Sequence, residues 1–359
     1  MLIGGAAGVT LWRTNPTRSP ASAEVAAPVS AQGLLTGLPS RLVPPPAPTA
    51  LPTDQAVGRA ALLYQINDPE TFTIAAGGLP RLPIYLVTAS GDQFGVGLTS
   101  ATGEPTQLLS PDGRWLAQRR DRQWWIRDLT ATTEQAVPPG YDVRQWSSDG
   151  QALLLGQTTG ASETYTTLTL PIGELHPLAL PAMPARQMLA FLDGREVATA
   201  EFYLGPNHQP RRQLTIAIQD ADGRNARSVS IPTTQQVGSG DIRNALVPLV
   251  RGGGDPPTVW ALVVAQEEAL TSQPAGTRTE PPMTLVGVDL RSGKPAGHIN
   301  LVAPGNGEGE EFIGLAGTEV LLQRWTAGTV ELVAVDPATG QRRTLTSLPD
   351  YARINLPGN

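Results

Sequence analysis

Short apolar runs alternate with tight-turn residues along most of the chain after about residue 58. One group of turns joins two apolar runs through an Asp-Gly pair, as in Ser110-Pro111-Asp112-Gly113 and Ser147-Ser148-Asp149-Gly150. An Asp-Gly pair between strands is typical of a two-residue hairpin, because glycine adopts the positive φ that such a turn requires. The pattern therefore predicts short β-strands joined in antiparallel hairpins. Weaker members of this group are Leu192-Asp193-Gly194 and Leu315-Ala316-Gly317.

A second group of turns follows the next apolar run in each repeat. Its members are Asp220-Ala221-Asp222-Gly223, Asp289-Leu290-Arg291-Ser292-Gly293 and Asp336-Pro337-Ala338-Thr339-Gly340. Four strands with hairpin turns after the first and the third make one antiparallel blade. The turns divide the chain into five such units, near residues 107–138, 141–182, 187–232, 242–303 and 311–348.

A sixth unit is divided between the two ends of this region. One strand-like segment occupies residues 350–356, and three more occupy residues 60–66, 83–87 and 94–98. Pairing the two ends would complete a blade and close the ring, which removes the exposed sheet edges that favour aggregation. The sequence therefore predicts an all-β domain over residues 58–359, a β-propeller of six four-stranded blades. Seven blades are the alternative, because unit 242–303 is long and residues 67–82 could hold another strand.

One unit carries a motif that can be compared with known repeats. The run Ser110-Pro111-Asp112-Gly113-Arg114-Trp115-Leu116-Ala117 resembles the signature turn of bacterial WD40-like β-propeller repeats. The other units match it only in degenerate form, and the Trp-Asp pairs of eukaryotic WD40 repeats are absent. The resemblance covers the architecture of about residues 58–359 and implies an interaction or envelope role. Because this fold carries both binding proteins and enzymes, the resemblance does not define the ligand.

The first 57 residues have a different composition. Residues 2–12 are apolar but too few to span a bilayer, which needs about 20 residues. We expect residues 1–12 to be the outer part of a single-pass membrane anchor that starts upstream, or alternatively an apolar tail. Residues 13–57 are rich in Pro, Ala, Ser and Thr, which predicts a disordered linker. This layout predicts a propeller tethered outside the cytoplasmic membrane, with a cytosolic scaffold as the alternative.

Composition also excludes several kinds of function. A net charge of -6 without any Lys/Arg cluster argues against nucleic-acid binding, which needs a concentrated basic surface. The absence of cysteine excludes disulfides, thiolate metal sites and cysteine nucleophiles. The three histidines, His176, His208 and His298, are scattered, which argues against a metal site or a Ser/His/Asp set. We therefore predict no catalytic residues, no metal and no cofactor, in a monomer whose closed ring has no edge that forces association.

Two further patterns have both a structural and a functional interpretation. Asp220, Asp222 and Asn225 suggest a calcium loop, but the required glutamate and the full ligand run are missing, so a hairpin turn is favoured. Packing between blades is likewise favoured over a ligand-stacking patch for a group of four tryptophans. These are Trp115, Trp124, Trp125 and Trp146.

Strand alternation places the connections on two faces of the ring. Turns after the first and third strands share one face, the tight face, where residues 251–255 are the only long loop. Second-to-third and blade-to-blade connections share the other face, here called the loop face. Long insertions on the loop face occupy residues 203–212, 231–241, 266–282 and 303–310. Long loops often carry function, although idle surface loops are the alternative.

The loop face therefore supplies the candidate binding residues. These are Tyr203, His208, Arg211, Arg212, Glu267, Glu268 and Glu308. The sequence predicts a non-enzymatic module that binds a protein or envelope component through this face. The alternative is a propeller-type glycan hydrolase or lyase, which requires paired carboxylates. The nearest carboxylates for that chemistry are Glu267, Glu268, Glu308, Glu310 and Glu311.

Overall fold

The structure is a computed structural model, and regular secondary structure in it is almost entirely β-strand. It describes residues 31–67, 73–74, 80–99, 106–159, 162–171, 173–179, 186–192, 196–201, 213–220, 222–232, 240–242, 257–265, 283–303 and 307–357. One helix of five residues accompanies the strands in these ranges. The all-β prediction is confirmed.

The elements follow one another closely along the chain. The first are α1 (Ala31–Leu35), β1 (Ala60–Ile66), β2 (Thr73–Ile74), β3 (Pro80–Arg81), β4 (Pro83–Thr88) and β5 (Gln93–Leu98). Next come β6 (Gln107–Leu109), β7 (Trp115–Arg120), β8 (Gln123–Asp128), β9 (Glu134–Ala136), β10 (Asp142–Trp146), β11 (Ala152–Thr159), β12 (Ser162–Thr169) and β13 (Leu175–Pro177). They continue with β14 (Arg186–Leu192), β15 (Glu196–Glu201), β16 (Gln213–Asp220), β17 (Arg227–Pro232), β18 (Gly240–Ile242), β19 (Thr258–Ala265), β20 (Met283–Asp289) and β21 (Pro295–Leu301). The last are β22 (Gly309–Ala316), β23 (Glu319–Thr326), β24 (Thr329–Val335), β25 (Arg342–Pro349) and β26 (Ala352–Asn355).

Five sheets are each built from four consecutive antiparallel strands, namely β6–β9, β10–β13, β14–β17, β18–β21 and β22–β25. A further sheet has the order β26-β1-β4-β5 and is called the composite blade below. In it Leu63 lies opposite Asn355, and Ile66 lies opposite Ala352. The predicted pairing of the N- and C-terminal strands is therefore confirmed. Strands β2 and β3 pair with each other in a small two-stranded sheet, in the segment where a seventh blade was the alternative.

Neighbouring sheets are connected around a ring. Contacts join β1 to β6, β10 to β14, β17 to β20, β21 to β22 and β24 to β26. Apolar clusters fill four of the interfaces in the described residues, and one of them packs Trp115 and Trp124 of one sheet against Trp146 and Leu153 of the next. Four-stranded sheets that succeed one another around a ring and pack face to face form the β-propeller arrangement.

The tight-face turns differ from the predicted two-residue hairpins. Ser110 pairs with Trp115 through the Ser110 N–H and the Trp115 carbonyl at 2.9 Å, so four residues form the turn. The Ser110 hydroxyl donates to Asp112 Oδ1 at 2.6 Å and accepts from the Trp115 N–H at 2.8 Å. Gly113 has φ +67°, whereas Asp112 does not have a positive φ. The prediction failed because the Ser and Asp side chains, not an Asp-Gly pair with two positive φ angles, close the turn.

The same hydrogen bonds recur in the next sheet. The Ser147 hydroxyl donates to Asp149 Oδ1 at 2.6 Å and accepts from the Ala152 N–H at 2.8 Å, while Gly150 has φ +70°. A hairpin with two positive φ angles does occur, at Asp121 (φ +48°) and Arg122 (φ +67°) between β7 and β8. Asp-Arg is not a usual pair for that turn, so the sequence did not indicate it.

Wider turns of the second group are closed by their first aspartate. Asp289 Oδ1 accepts from the Arg291 N–H at 2.7 Å, and Asp336 Oδ1 accepts from the Ala338 N–H at 2.8 Å. Gly293 (φ +68°) and Gly340 (φ +71°) end the two turns. Partial burial opposes ionisation of Asp289, but hydrogen bonds from the backbone N–H groups of the turn outweigh it and lower its pKa.

Residues 31–57, here called the belt, pack against the ring, whereas the composition of residues 13–57 favours a disordered linker. Leu34, Leu38 and Leu42 are buried in the apolar cluster between the β22–β25 sheet and the composite blade. Their regular spacing supplies the apolar surface that offsets the entropy of ordering a Pro-rich segment. Residues 13–30 lie outside the described residues, as do residues 1–12.

The belt passes around the composite blade. The Leu42 N–H donates to the Ser347 carbonyl of β25 at 2.8 Å, and the Gly95 N–H of β5 donates to the Thr49 carbonyl at 2.8 Å. The Val57 N–H then donates to the Leu129 carbonyl, beyond the end of β8, at 2.9 Å. The belt therefore touches the sheet before the composite blade, its edge strand and the sheet after it. Within the described ranges, no helix is long and apolar enough to cross a bilayer.

Candidate binding pocket on the loop face

A cavity of about 570 Å³ opens at the loop-face end of the β22–β25 sheet. It is lined by Gly307, Glu308, Trp325, Thr326, Ala327, Gly328 and Asp350. This volume lies within the range of small-ligand pockets in proteins. The cavity is therefore large enough for a side chain or a small molecule.

Sheet register explains why these residues meet. Gly309 of β22 lies opposite Trp325 of β23, and Thr329 of β24 lies opposite Pro349 of β25. Glu308 immediately precedes this row and Asp350 immediately follows it. Three connections that are far apart in sequence thus converge at one end of the sheet. They are the connection that leads into β22, the turn between β23 and β24, and the connection from β25 to β26.

The aromatic part of the pocket is held in place by its surroundings. Trp325 is partly buried and packs against the apolar cluster that also contains the belt leucines. The following turn is narrow, because Thr326 and Thr329 share a hydroxyl hydrogen bond of 2.7 Å and Gly328 adopts φ +87°. A rigid strand end therefore positions the indole beside an exposed turn.

The acidic side chains of the pocket have no partner among the described residues. Glu308 and Asp350 are exposed, and neither forms a hydrogen bond or ion pair within the described chain. A nearby acid of the same sheet is neutralised, since Glu331 forms an ion pair with Arg324. None of the described residues that line the cavity is basic. The pocket therefore combines an indole with two unneutralised negative charges.

The other glutamates of this segment do not line the pocket. Glu310 is buried, and its Oε2 accepts from Arg342 Nη2 at 3.1 Å and from the Val302 N–H at 3.0 Å. Its Oε1 is buried without a hydrogen-bond partner. Glu311 lies 3.7 Å from Arg353. The three glutamates are close in sequence but differ in environment. Glu308 lines the pocket, Glu310 forms a buried ion pair and Glu311 forms a surface ion pair.

Glu308 is the one predicted binding residue that the structure describes. The remaining candidates lie outside the described residues, together with most of the long loop-face insertions. They are Tyr203, His208, Arg211, Arg212, Glu267 and Glu268. The turn residues Asp193 and Gly194 also lie outside them.

Sequence reasoning missed Trp325 and Asp350. Trp325 lies near the end of β23 and Asp350 in the short connection after β25, so neither belongs to a long loop, and only the sheet register brings them to Glu308. A weak signal existed, because Thr326-Ala327-Gly328-Thr329 is a turn directly after a tryptophan. Aligning the strand ends of all the predicted blades could have placed Glu308, Trp325 and Asp350 at the same end of one sheet.

The weaker candidates occupy structural positions. Asp220 Oδ2 accepts from Asn225 Nδ2 at 2.5 Å inside a hairpin turn, and Asn225 has φ +53°. In the described part of the chain, no group of three or more acidic or histidine side chains could hold a metal ion. His176 lies 3.6 Å from Glu174 on an exposed edge, and His298 is exposed on β21.

Comparisons with known proteins give only distant similarity. No protein-family model matches the chain, and no curated protein matches it either. The solved structure of TolB from Acinetobacter baumannii is 14% identical, with a TM-score of 0.44, over 83% of this chain and 65% of that chain. The β-propeller domain of the Trilobed protease from Pyrococcus furiosus is 12% identical, with a TM-score of 0.44, over 80% and 83%. A putative TolB from Agrobacterium tumefaciens is 11% identical, with a TM-score of 0.32, over 84% and 98%.

The chain therefore spans less than two thirds of the Acinetobacter baumannii protein. At these scores the similarity adds nothing about activity or partners. The fold assignment rests on the strand order and on the contacts between sheets.

Proposed function

We propose that this chain is a non-enzymatic β-propeller module that binds a protein or envelope component through its loop face. The observation that carries the proposal is the cavity in which Trp325, Glu308 and Asp350 converge. Tryptophan in a preformed recess is a common anchor point for protein partners. Unpaired charges at the rim add specificity and speed association.

Exposure of the two carboxylates favours binding over catalysis. A glycosidase needs one carboxyl that stays protonated near neutral pH, which is usually achieved by burial in apolar surroundings. Glu308 and Asp350 are both exposed, so they lack those surroundings.

Site-specific photo-crosslinking tests the proposed face. A photoreactive amino acid replaces Ala327 in the loop-face turn, and a control variant carries it at Ala338 in a tight-face turn of the same sheet. Both alanines are exposed, so neither replacement disturbs the core. We expect a discrete crosslinked protein from position 327, weakened by Trp325→Ala, and none from position 338. Equal products from both positions, or products that Trp325→Ala leaves unchanged, contradict the proposal.

We further propose that the ring has six blades, the five consecutive sheets and the composite blade, and that the protein is a monomer. We also propose a single-pass anchor at the N-terminus that holds the propeller outside the cytoplasmic membrane. The apolar residues 2–12 and the Pro-containing residues 13–30 support the tether. Fractionation of cells that express the complete gene tests it, because an anchored protein sediments with membranes and resists extraction by salt.

A glycan-cleaving activity is the second candidate, because the cavity does pair two carboxylates with an aromatic side chain. Hydrolysis of a panel of chromogenic glycosides that is lost in both Glu308→Gln and Asp350→Asn would favour this candidate. Absence of turnover across the panel leaves the binding module as the better account.

A further inference from the structure

We propose that the loop-face pocket receives an arginine side chain of a protein partner, with the guanidinium group against Trp325 and between Glu308 and Asp350. This inference rests on the proposed function and specifies the chemistry that the pocket recognises. It uses three side chains that line one cavity and have no role in the core hydrogen bonding of the sheet.

Charge is the first reason. Most of the described acids are engaged by arginines, by turn N–H groups or by neighbouring polar side chains, as Asp112 is by Arg59 and Asp128 by Arg114. Asp121, Glu308 and Asp350 are exceptions among the described residues, and of these Glu308 and Asp350 line the same cavity. Across the described part of the chain, no basic residue lines the cavity to neutralise them. A cation is therefore the complementary occupant.

The indole is the second reason. The face of an indole attracts cations, and arginine in particular stacks on it. This chain already contains such a contact, since the Arg114 guanidinium lies 4.7 Å from the Trp115 ring centroid while also bonding to Asp128. That cluster combines an indole, a carboxylate and a guanidinium. The loop-face pocket offers the first two and lacks the third.

The arrangement favours arginine over lysine. A planar guanidinium can stack on a ring and still direct N–H donors sideways to two carboxylates. An ammonium group is a compact and strongly hydrated charge that cannot use both features equally. Arginine is also enriched at the centres of protein interfaces.

Titration with a pair of capped tripeptides tests the inference. The probes are acetyl-Gly-Arg-Gly-amide and its citrulline counterpart, which has nearly the same shape but no charge. The protein carries 5-fluorotryptophan, and the ¹⁹F resonance of Trp325 is assigned with Trp325→Phe because the chain has 7 tryptophans. We expect the arginine peptide to shift this resonance and to bind at least about tenfold more tightly than the citrulline peptide.

Two variants separate the pocket from general charge. Glu308→Gln with Asp350→Asn should weaken the arginine peptide to the level of the citrulline peptide. The control Asp121→Asn removes an exposed acid from another loop-face turn, where φ +48° suits asparagine, and should leave binding unchanged.

The outcomes distinguish this inference from the proposed function. Equal binding of both peptides overturns the guanidinium preference but leaves the pocket as a binding site. Arginine binding that survives the double substitution overturns the role of the carboxylates. If neither peptide binds, the inference is overturned, and crosslinking from Ala327 decides separately whether the loop face binds a partner.

Discussion

The belt provides the sharpest stability prediction, because two adjacent residues in it have opposite environments. Leu42 is 0% exposed in the apolar cluster beside the composite blade, whereas Val43 is 59% exposed. We expect Leu42→Ala to destabilise the protein and Val43→Ala to have almost no effect. A disordered linker would make the two substitutions equivalent.

The magnitude follows from burial. Burying a leucine side chain contributes about 1.5–3 kcal/mol, and Leu→Ala substitutions in cores cost about 2–5 kcal/mol including the cavity left behind. A surface segment can shift to close part of the cavity, so we expect the lower end, about 2–3 kcal/mol. For a domain of about 300 residues that corresponds to a fall in Tm of about 3–5 °C. Val43→Ala should change stability by less than about 0.5 kcal/mol.

Urea unfolding followed by tryptophan fluorescence measures both variants against the parent protein. The midpoint of Leu42→Ala should fall clearly while that of Val43→Ala stays in place. Equal midpoints for the two variants would refute the ordered belt and restore the linker interpretation. A slope that changes together with the midpoint would indicate that the belt unfolds separately from the ring.

Two further predictions concern the tight face. Gly113→Ala should cost more than about 2 kcal/mol, because a Cβ there would lie 2.0 Å from the Ala60 carbonyl oxygen in addition to the strain at φ +67°. The control Gly340→Ala meets no atom within 4 Å and should cost only the strain, about 1–2 kcal/mol, so equal losses in urea unfolding would contradict the clash. Burial opposes ionisation of Asp128, but hydrogen bonds from Arg114 and Thr130 prevail and lower its pKa below the unfolded value near 4. The ionised Asp128 therefore stabilises the protein fully above about pH 4, and this stabilisation is lost as the pH falls through the lower folded pKa. The difference in unfolding free energy between the parent protein and Asp128→Asn should narrow over that pH range. A difference that stays constant with pH would exclude this linkage.

The order of strands and sheets was predictable because residues typical of tight turns mark the ends of the strands. Ser110 and Asp112 mark one hairpin, and Asp336 and Gly340 mark another. The spacing of such turns along the chain was enough to divide it into four-stranded units. Closure by β26 also followed from counting, since a single strand remained at one end and three at the other. The turn geometry was predicted wrongly, because residue type indicates a turn more reliably than its length.

The belt and the pocket were harder to predict, for different reasons. Composition made the belt look disordered, yet Leu34, Leu38 and Leu42 recur at intervals of four and supply a buried stripe. The pocket depends on residues that only register brings together, so Glu308 was found from its loop while Trp325 was not. Local patterns predict elements well, but sites formed by the ends of several strands require the pairing itself.

The composite blade also sets an order of events during synthesis on the ribosome. Strand β1 is made early, but its partner β26 appears only after residues 67–351, which takes about 15–60 s at typical translation rates. Throughout that interval one edge of β1 lacks its final partner and can pair with other nascent chains. Protection of this edge, by chaperones or by rapid folding of the later sheets, is therefore a requirement for producing the protein in cells.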